Sequence, residues 1–215
     1  MTSGDGMDLV VLVADADAEW TVRTLLKTRR TGLGIRSVHV KVVRHPQRDA
    51  GVYLHCHEFL RQYLGKADYA LVMLDREGSG RESMSAEEIE MDIENRLVQN
   101  GWSPENVAAV VLDPELETWV WSSSLHVAEV IGLEHRELQT ILEQTPTNAL
   151  DKPKRPKEVL QKALRQSKRP FSARIFQELA ERVSLRRCQD RAFGKFRSTL
   201  QRWFPDVCQG GLNDS

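Results

Sequence analysis

Acidic residues crowd the ends of three apolar runs in this sequence. Asp15, Asp17 and Glu19 follow Asp8–Ala14 (DLVVLVA); Asp75 and Glu77 follow Tyr69–Leu74 (YALVML); Asp113, Glu115 and Glu117 follow Val107–Leu112 (VAAVVL). A fourth run, Ser37–Val43 (SVHVKVV), is followed by Arg44, His45, Arg48 and Asp49. Clustered carboxylates raise one another's pKa unless a cation neutralises them. Their hard oxygens suit Mg²⁺ or Mn²⁺, which bind through one or two carboxylates plus waters and substrate phosphates. Two such ions can activate water and stabilise the leaving oxygen in phosphodiester cleavage. Asp75 and Glu77 stand out, because Asp75 ends an apolar run and a glycine pair, Gly78 and Gly80, follows. The others have plainer readings. Asp17 and Asp113 can be helix N-caps, and Glu19 a first-turn acid facing the helix dipole. Glu115 and Glu117 are two residues apart, so on a helix only one of them can face a site. Glu117 shares a helix face with Trp121, which suits an acidic ligand flanked by an aromatic, or a surface Glu beside core tryptophans.

Cations complement these acids. Arg44 and Arg48 follow the second run and suit phosphate at the same sheet edge, or a solvated loop. Lys152–Lys157 (KPKRPK) is the densest basic run. Its Lys154, Arg155 and Lys157 are candidates for nucleic-acid phosphates, with a merely charged helical exterior as the alternative. The net charge of −1 hides a split: residues 1–150 carry 14 Lys+Arg against 24 Asp+Glu, and residues 151–215 carry 16 against 7. Such asymmetry suggests different partners for the two parts, cations for one and a polyanion for the other, or mutual attraction between them.

The elements that must position these residues follow from periodicity. The four apolar runs are short, and three are nearly continuous, as in buried parallel strands. Helical spacing marks Ala18–Lys27 and Tyr53–Leu64, and Ser85 with Glu88 forms a capping box that opens another helix. Asp113 as N-cap and Pro114 at the first helical position predict a helix over Glu115–Ser122. Helices are expected over Leu125–Ile131, Glu134–Glu143, Lys157–Arg165, Ser172–Val183 and about Gln189–Phe204. Strands alternating with helices predict an α/β fold with a mostly parallel four-stranded sheet flanked by helices, then a helical C-terminal part. In such sheets ligands bind outside the carboxyl ends of the strands.

Composition excludes several classes. With 40% hydrophobic and 28% charged residues the chain is too apolar for wholesale disorder. Three scattered cysteines give no disulfide framework or four-ligand zinc site. His55-Cys56-His57 offers half a zinc site at most. Gly78-Ser79-Gly80-Arg81 lacks the Gly-Lys-Ser/Thr ending of a P-loop. No apolar run approaches a bilayer span, and Met1–Asp8 lacks a signal peptide's apolar core, so a cytoplasmic protein with no membrane association is expected.

The order of these segments resembles the Toprim (topoisomerase–primase) superfamily, and especially a small Toprim-like family of unknown function common in bacterial defence islands. Asp75-Arg76-Glu77 is similar to that superfamily's acidic pair, which ends a later strand. Pro114-Glu115-Leu116-Glu117-Thr118-Trp119 resembles the small family's Pro-Glu-x-Glu-x-Trp segment. Lys154-Arg155-Pro156-Lys157-Glu158 and Ala192-Phe193-Gly194-Lys195-Phe196 resemble its basic helical tail. Asp8–Asp15 together with Asp75–Gly80 is also similar to a small component of methylation-associated phage-defence systems. The resemblance implies a Toprim-like sheet domain over 1–122 and a basic helical part packed on it over 123–208; the last residues, 209–215, are expected to form a disordered tail. It implies Mg²⁺ or Mn²⁺ held by Asp75, Glu77 and Glu117. Acid/base function falls to Asp15, Asp17 or Glu19, because Ala14 stands where the superfamily has its first-strand glutamate. The expected activity is metal-dependent nucleic-acid cleavage or related phosphoryl transfer, in anti-phage defence with protein partners. Ala14 keeps a second expectation open: a catalytically decayed module that binds nucleic acid or a partner protein. Asp15-x-Asp17 also resembles the nucleophile motif of haloacid-dehalogenase-type phosphatases, although Ala18-Glu19-Trp20 replaces the threonine and turn found there.

Overall fold

The four apolar runs become four strands: β1 (Met7–Val13), β2 (Val40–Arg44), β3 (Ala67–Asp75) and β4 (Val107–Leu112). The computed structural model describes residues 6–121, 126–183 and 188–206. β4 is buried at every position, and β1 from Leu9 onward, which requires cover on both faces of the sheet. All pairings are parallel, in the order β2-β1-β3-β4. The chain runs outward from β1 to β2, then crosses back to β3 and β4. That reversal leaves a crevice at the carboxyl ends of β1 and β3, where open α/β sheets bind ligands.

Helices α1 (Ala16–Thr28), the short α2 (Arg30–Leu33), α3 (Arg48–Leu60) and α4 (Ala86–Gln99) connect and cover the strands. Then come α5 (His126–Ile131), α6 (His135–Glu143), α7 (Pro156–Gln166), α8 (Ala173–Arg182) and α9 (Arg191–Trp203). Alternate strand residues point to opposite faces. Leu9, Val11 and Val13 enter a core shared with α1 and the C-terminal helices, including the fully buried Phe196 and Phe204. Val10, Leu12, Val72 and Leu74 enter a second core with Val52 and Leu60 of α3 and Ile89 and Ile93 of α4. α8 packs along α1, and α9 lies against β4. No helix among the described residues is long and apolar enough to cross a membrane.

Several local expectations need correction. β2 begins at Val40 rather than Ser37, because the Asp8 carboxylate binds the approaching chain through His39 N–H (2.6 Å) and the Arg36 guanidinium (2.9 Å). The helix expected over Tyr53–Leu64 starts at Arg48 and ends at Leu60, followed by a 3-10 turn over Arg61–Tyr63. The helix expected after β4 is only a 3-10 turn, Leu116–Trp119. Asp113 does not cap it, since its Oδ1 accepts from Arg76 Nε instead. The Ser85–Glu88 capping box forms as expected. The expected tail over 209–215 lies outside the described residues.

β4 is an edge strand, and its outer side is closed by side chains. Glu90 Oε1 accepts from Val111 N–H (2.8 Å) and Glu94 Oε1 from Ala109 N–H (2.9 Å). Arg191 and Lys195 of α9 bind Glu90, Lys195 also binds Glu94, and Arg191 donates to Val111 C=O. Two outward N–H groups and one C=O that would help template another strand are thereby taken.

Candidate metal centre

Asp75 is the last residue of β3 and sits where the sheet opens. Its backbone N–H donates to Asp49 Oδ1 (2.8 Å), and its own Oδ1 accepts from Leu116 N–H (2.9 Å). Those two bonds aim the Asp75 carboxyl at the turn that follows β4. Glu115 precedes that turn in extended backbone (φ −158°, ψ 169°), and Glu117 lies within it, 2% exposed. Asp75, Glu115 and Glu117 each offer an oxygen, all within 4.8 Å of one another.

The C-terminal part holds this turn in place. Lys157 N–H donates to Glu115 Oε1 (2.9 Å), and the buried Lys152 ammonium donates to Thr118 C=O (2.9 Å). Trp119 Nε1 donates to Asp190 Oδ1, and Trp121 Nε1 to Pro156 C=O. The Lys157 ammonium stands 3.5 Å from Glu117 Oε1 and 3.9 Å from Glu115 Oε2.

The electrostatics are those of crowded, desolvated acids. Asp75 is pushed well above the usual carboxylate range by burial, then by Asp49, Glu117 and Asp15. Burial raises Glu117 to about 7, opposed by Lys157 and reinforced by Glu115. Burial and Asp15 raise Asp17 to about 6. Asp49 and Glu115 are also raised, chiefly by burial. Burial works against the Lys157 charge, but Glu117, Glu115, Asp75 and Asp15 together hold its pKa above the ordinary value. Asp15, Asp17, Asp49, Asp75, Glu115 and Glu117 thus form one interacting set around Lys157. The donor set is all oxygen and short of positive charge, so it could hold a metal ion, most directly through Asp75, Glu115 and Glu117.

Of the residues singled out from sequence, Asp75 and Glu117 come together here. Glu77 is exposed and outside the converging three; its N–H donates to Pro114 C=O, and Glu82 ties the loop back through Gly78 and Gly80 N–H. Asp15 caps α1 through Ala18 N–H (3.0 Å). Asp17 is half-buried two residues further on, within electrostatic reach of Asp15. Glu19 is held between Arg23 and Arg44, each at 2.8 Å. Asp15, Asp17, Glu19, Arg44, Arg48 and Lys157 line one cleft of about 890 Å³. Lys154 and Arg155 are exposed ahead of α7, where Arg155 pairs with Glu158.

Two residues assigned no role from sequence belong to the cluster. Glu115 was set against Glu117 by a helical rule that fails here, because Glu115 is extended and only Glu117 is in the turn. Asp49 follows the second apolar run, but only the fold carries it beneath Asp75. Comparison of the chain with protein-family models, with curated proteins and with solved structures finds no match.

Proposed function

We propose that the chain is a divalent-metal-dependent phosphoryl-transfer protein of Toprim-like type, a nuclease that holds Mg²⁺ or Mn²⁺ through Asp75, Glu115 and Glu117. One observation carries this reading: three carboxylates converge at the sheet's switch point beside a cleft lined by Arg48 and Lys157. A bound ion would supply Lewis-acid stabilisation of charge on a phosphate ester. Asp49 positions Asp75 through the β3 backbone. Asp17, raised to about 6, is suited to hold or release a proton near neutral pH. Glu19 is already matched by two arginines and Asp15 by its helix cap, which leaves Asp17 as the better acid/base candidate. Arg48 and Lys157 would take substrate phosphates. The resemblance to the defence-island family supports a nucleic-acid substrate, protein partners and a role in anti-phage defence.

The test is calorimetric titration of Mn²⁺ and Mg²⁺ into wild type and into Asp75→Ala/Glu117→Ala, followed by cleavage assays on DNA and RNA. Specific binding and metal-dependent cleavage, both lost in the variant, are expected. Cleavage that survives the double substitution would overturn the assignment.

A second reading rests on Lys157 and Ala14. The ammonium already sits among the carboxylates and can serve as their permanent counter-ion, as in a decayed site that only binds nucleic acid or a partner. It predicts no metal binding by folded wild type and salt-sensitive nucleic-acid binding without turnover.

A further inference from the structure

The cleft beside the acidic cluster has one wall from the β2–α3 loop and another from the C-terminal part. Its volume of about 890 Å³ is in the range of small-ligand pockets, ~300–1,000 Å³.

The walls carry two kinds of group. The first is an unengaged cation. Arg44 is neutralised by Glu19, but the Arg48 side chain makes no hydrogen bond or ion pair with any described residue. Arg48 is held in left-handed backbone (φ 52°), which costs energy for a residue with a side chain. Its loop is braced on both sides of it. The buried His45 ring accepts from Gln47 N–H, and Asp49 is bound to Asp75 N–H. A Cβ on Gly51 would lie 2.3 Å from His45 Nδ1, so only glycine lets α3 pack on that ring. Lys157 faces Arg48's cleft and the acidic cluster at once.

The second kind of group is aromatic. Phe59 and Phe171 line the same cleft and are each only partly buried. Each is backed by another ring, Phe59 by His45 (5.2 Å between centroids) and Phe171 by Phe176 (5.7 Å). Cations beside fixed aromatic faces are how proteins hold unpaired bases.

We propose that this cleft binds one unpaired nucleotide of a single-stranded nucleic acid, its phosphate against Arg48 and Lys157 and its base against Phe171 and Phe59. The proposal rests on the nucleic-acid reading above and names its substrate class as a strand or end without a paired complement. The backbone strain at Arg48 is then the cost of presenting a cation that feels the field of Asp17 but forms no direct ion pair with any described residue.

Fluorescence anisotropy with a labelled mixed-sequence single strand, and with the blunt duplex of the same sequence, tests it in Ca²⁺ and again in EDTA. The single strand is expected to bind at least about tenfold more tightly than the duplex. Phe171→Leu, which keeps apolar packing on Phe176, is expected to weaken the single strand about fivefold or more and leave the duplex unchanged. Arg48→Gly is expected to raise the melting temperature by releasing the strained backbone while weakening the strand. Equal affinity for strand and duplex, or full strand affinity in both variants, would overturn the proposal. So would AMP competing as well as the strand itself, since the ligand would then be a free nucleotide. Strand preference without any metal binding would sink the metal centre alone, and metal binding without strand preference would sink this proposal alone.

Discussion

Two acidic clusters on this sheet are built to opposite plans. At the edge of β4, Glu90 and Glu94 meet two backbone N–H groups and the cations Arg191 and Lys195. Beyond the carboxyl ends of the four strands, six carboxylates share Lys157 as their central cation. The first cluster has its charge matched by the chain and serves the fold. The second is under-matched, and Asp17, Asp49, Asp75, Glu115 and Glu117 are driven toward the protonated form. Counting carboxylates does not separate the two; asking what neutralises each one does.

The contrast predicts opposite signs for similar substitutions. The largest effect falls at the matched cluster. Glu90→Ala takes the buried shared carboxylate from Arg191 and Lys195, which keep only Glu87 and Glu94, and frees Val111 N–H; it should cost about 3 kcal/mol in denaturant unfolding. Both cations keep some solvent exposure, which holds the figure at the low end for a buried pair. A loss under about 1 kcal/mol would mean that the network behaves like an ordinary surface ion pair.

The next effect is the reverse. Without metal at about pH 8, Glu117→Gln should stabilise the protein by roughly 2 kcal/mol, because it removes a buried, repelled charge. The same change should weaken Mn²⁺ binding. Destabilisation instead would show that Lys157 matches this cluster fully.

The pH profile sharpens the comparison without mutation. Glu117 is raised from 4.5 to about 7, so between those values the folded state holds a proton that the unfolded state lacks. The stabilisation this gives is complete below about pH 4.5 and is lost as pH rises through about 7, an effect on the order of 3 kcal/mol. Saturating Mn²⁺ should remove the loss, since the ion binds the deprotonated form. Chemical denaturation across pH, with and without metal, measures both curves, and coincident curves would contradict a metal at Glu117. The smallest effect is at Asp113. Its pair with Arg76 is partly exposed, so Asp113→Ala should cost less than about 1 kcal/mol and leave metal affinity unchanged.

The architecture was largely legible in the sequence, for a physical reason. Continuous valine-rich runs such as Val107–Leu112 can be buried on both faces only in a covered parallel sheet, and Ser85 with Glu88 marks a helix start without tertiary help. The site was legible only in part. Asp75 is announced by the strand it ends. Glu115 was not, because its contribution depends on extended backbone held by Lys157 and by the β3 register, and no helical spacing encodes that. Glu77 was favoured by its place beside Asp75, yet the loop folds back through Glu82 and leaves it outside the converging three. Lys157 read as part of a basic run, whereas the start of α7 sets it among the acids, apart from the exposed Lys154 and Arg155.

The bonds that hold the turn after β4 span long stretches of chain. Lys157 lies 42 residues beyond Glu115, and Asp190 lies 71 beyond Trp119. During synthesis the strands leave the ribosome well before either partner exists. The sheet can therefore begin to form while the carboxylates at its mouth are still unfixed. The candidate metal centre is therefore completed only when the last helices dock, which makes it one of the last parts of the molecule to take shape.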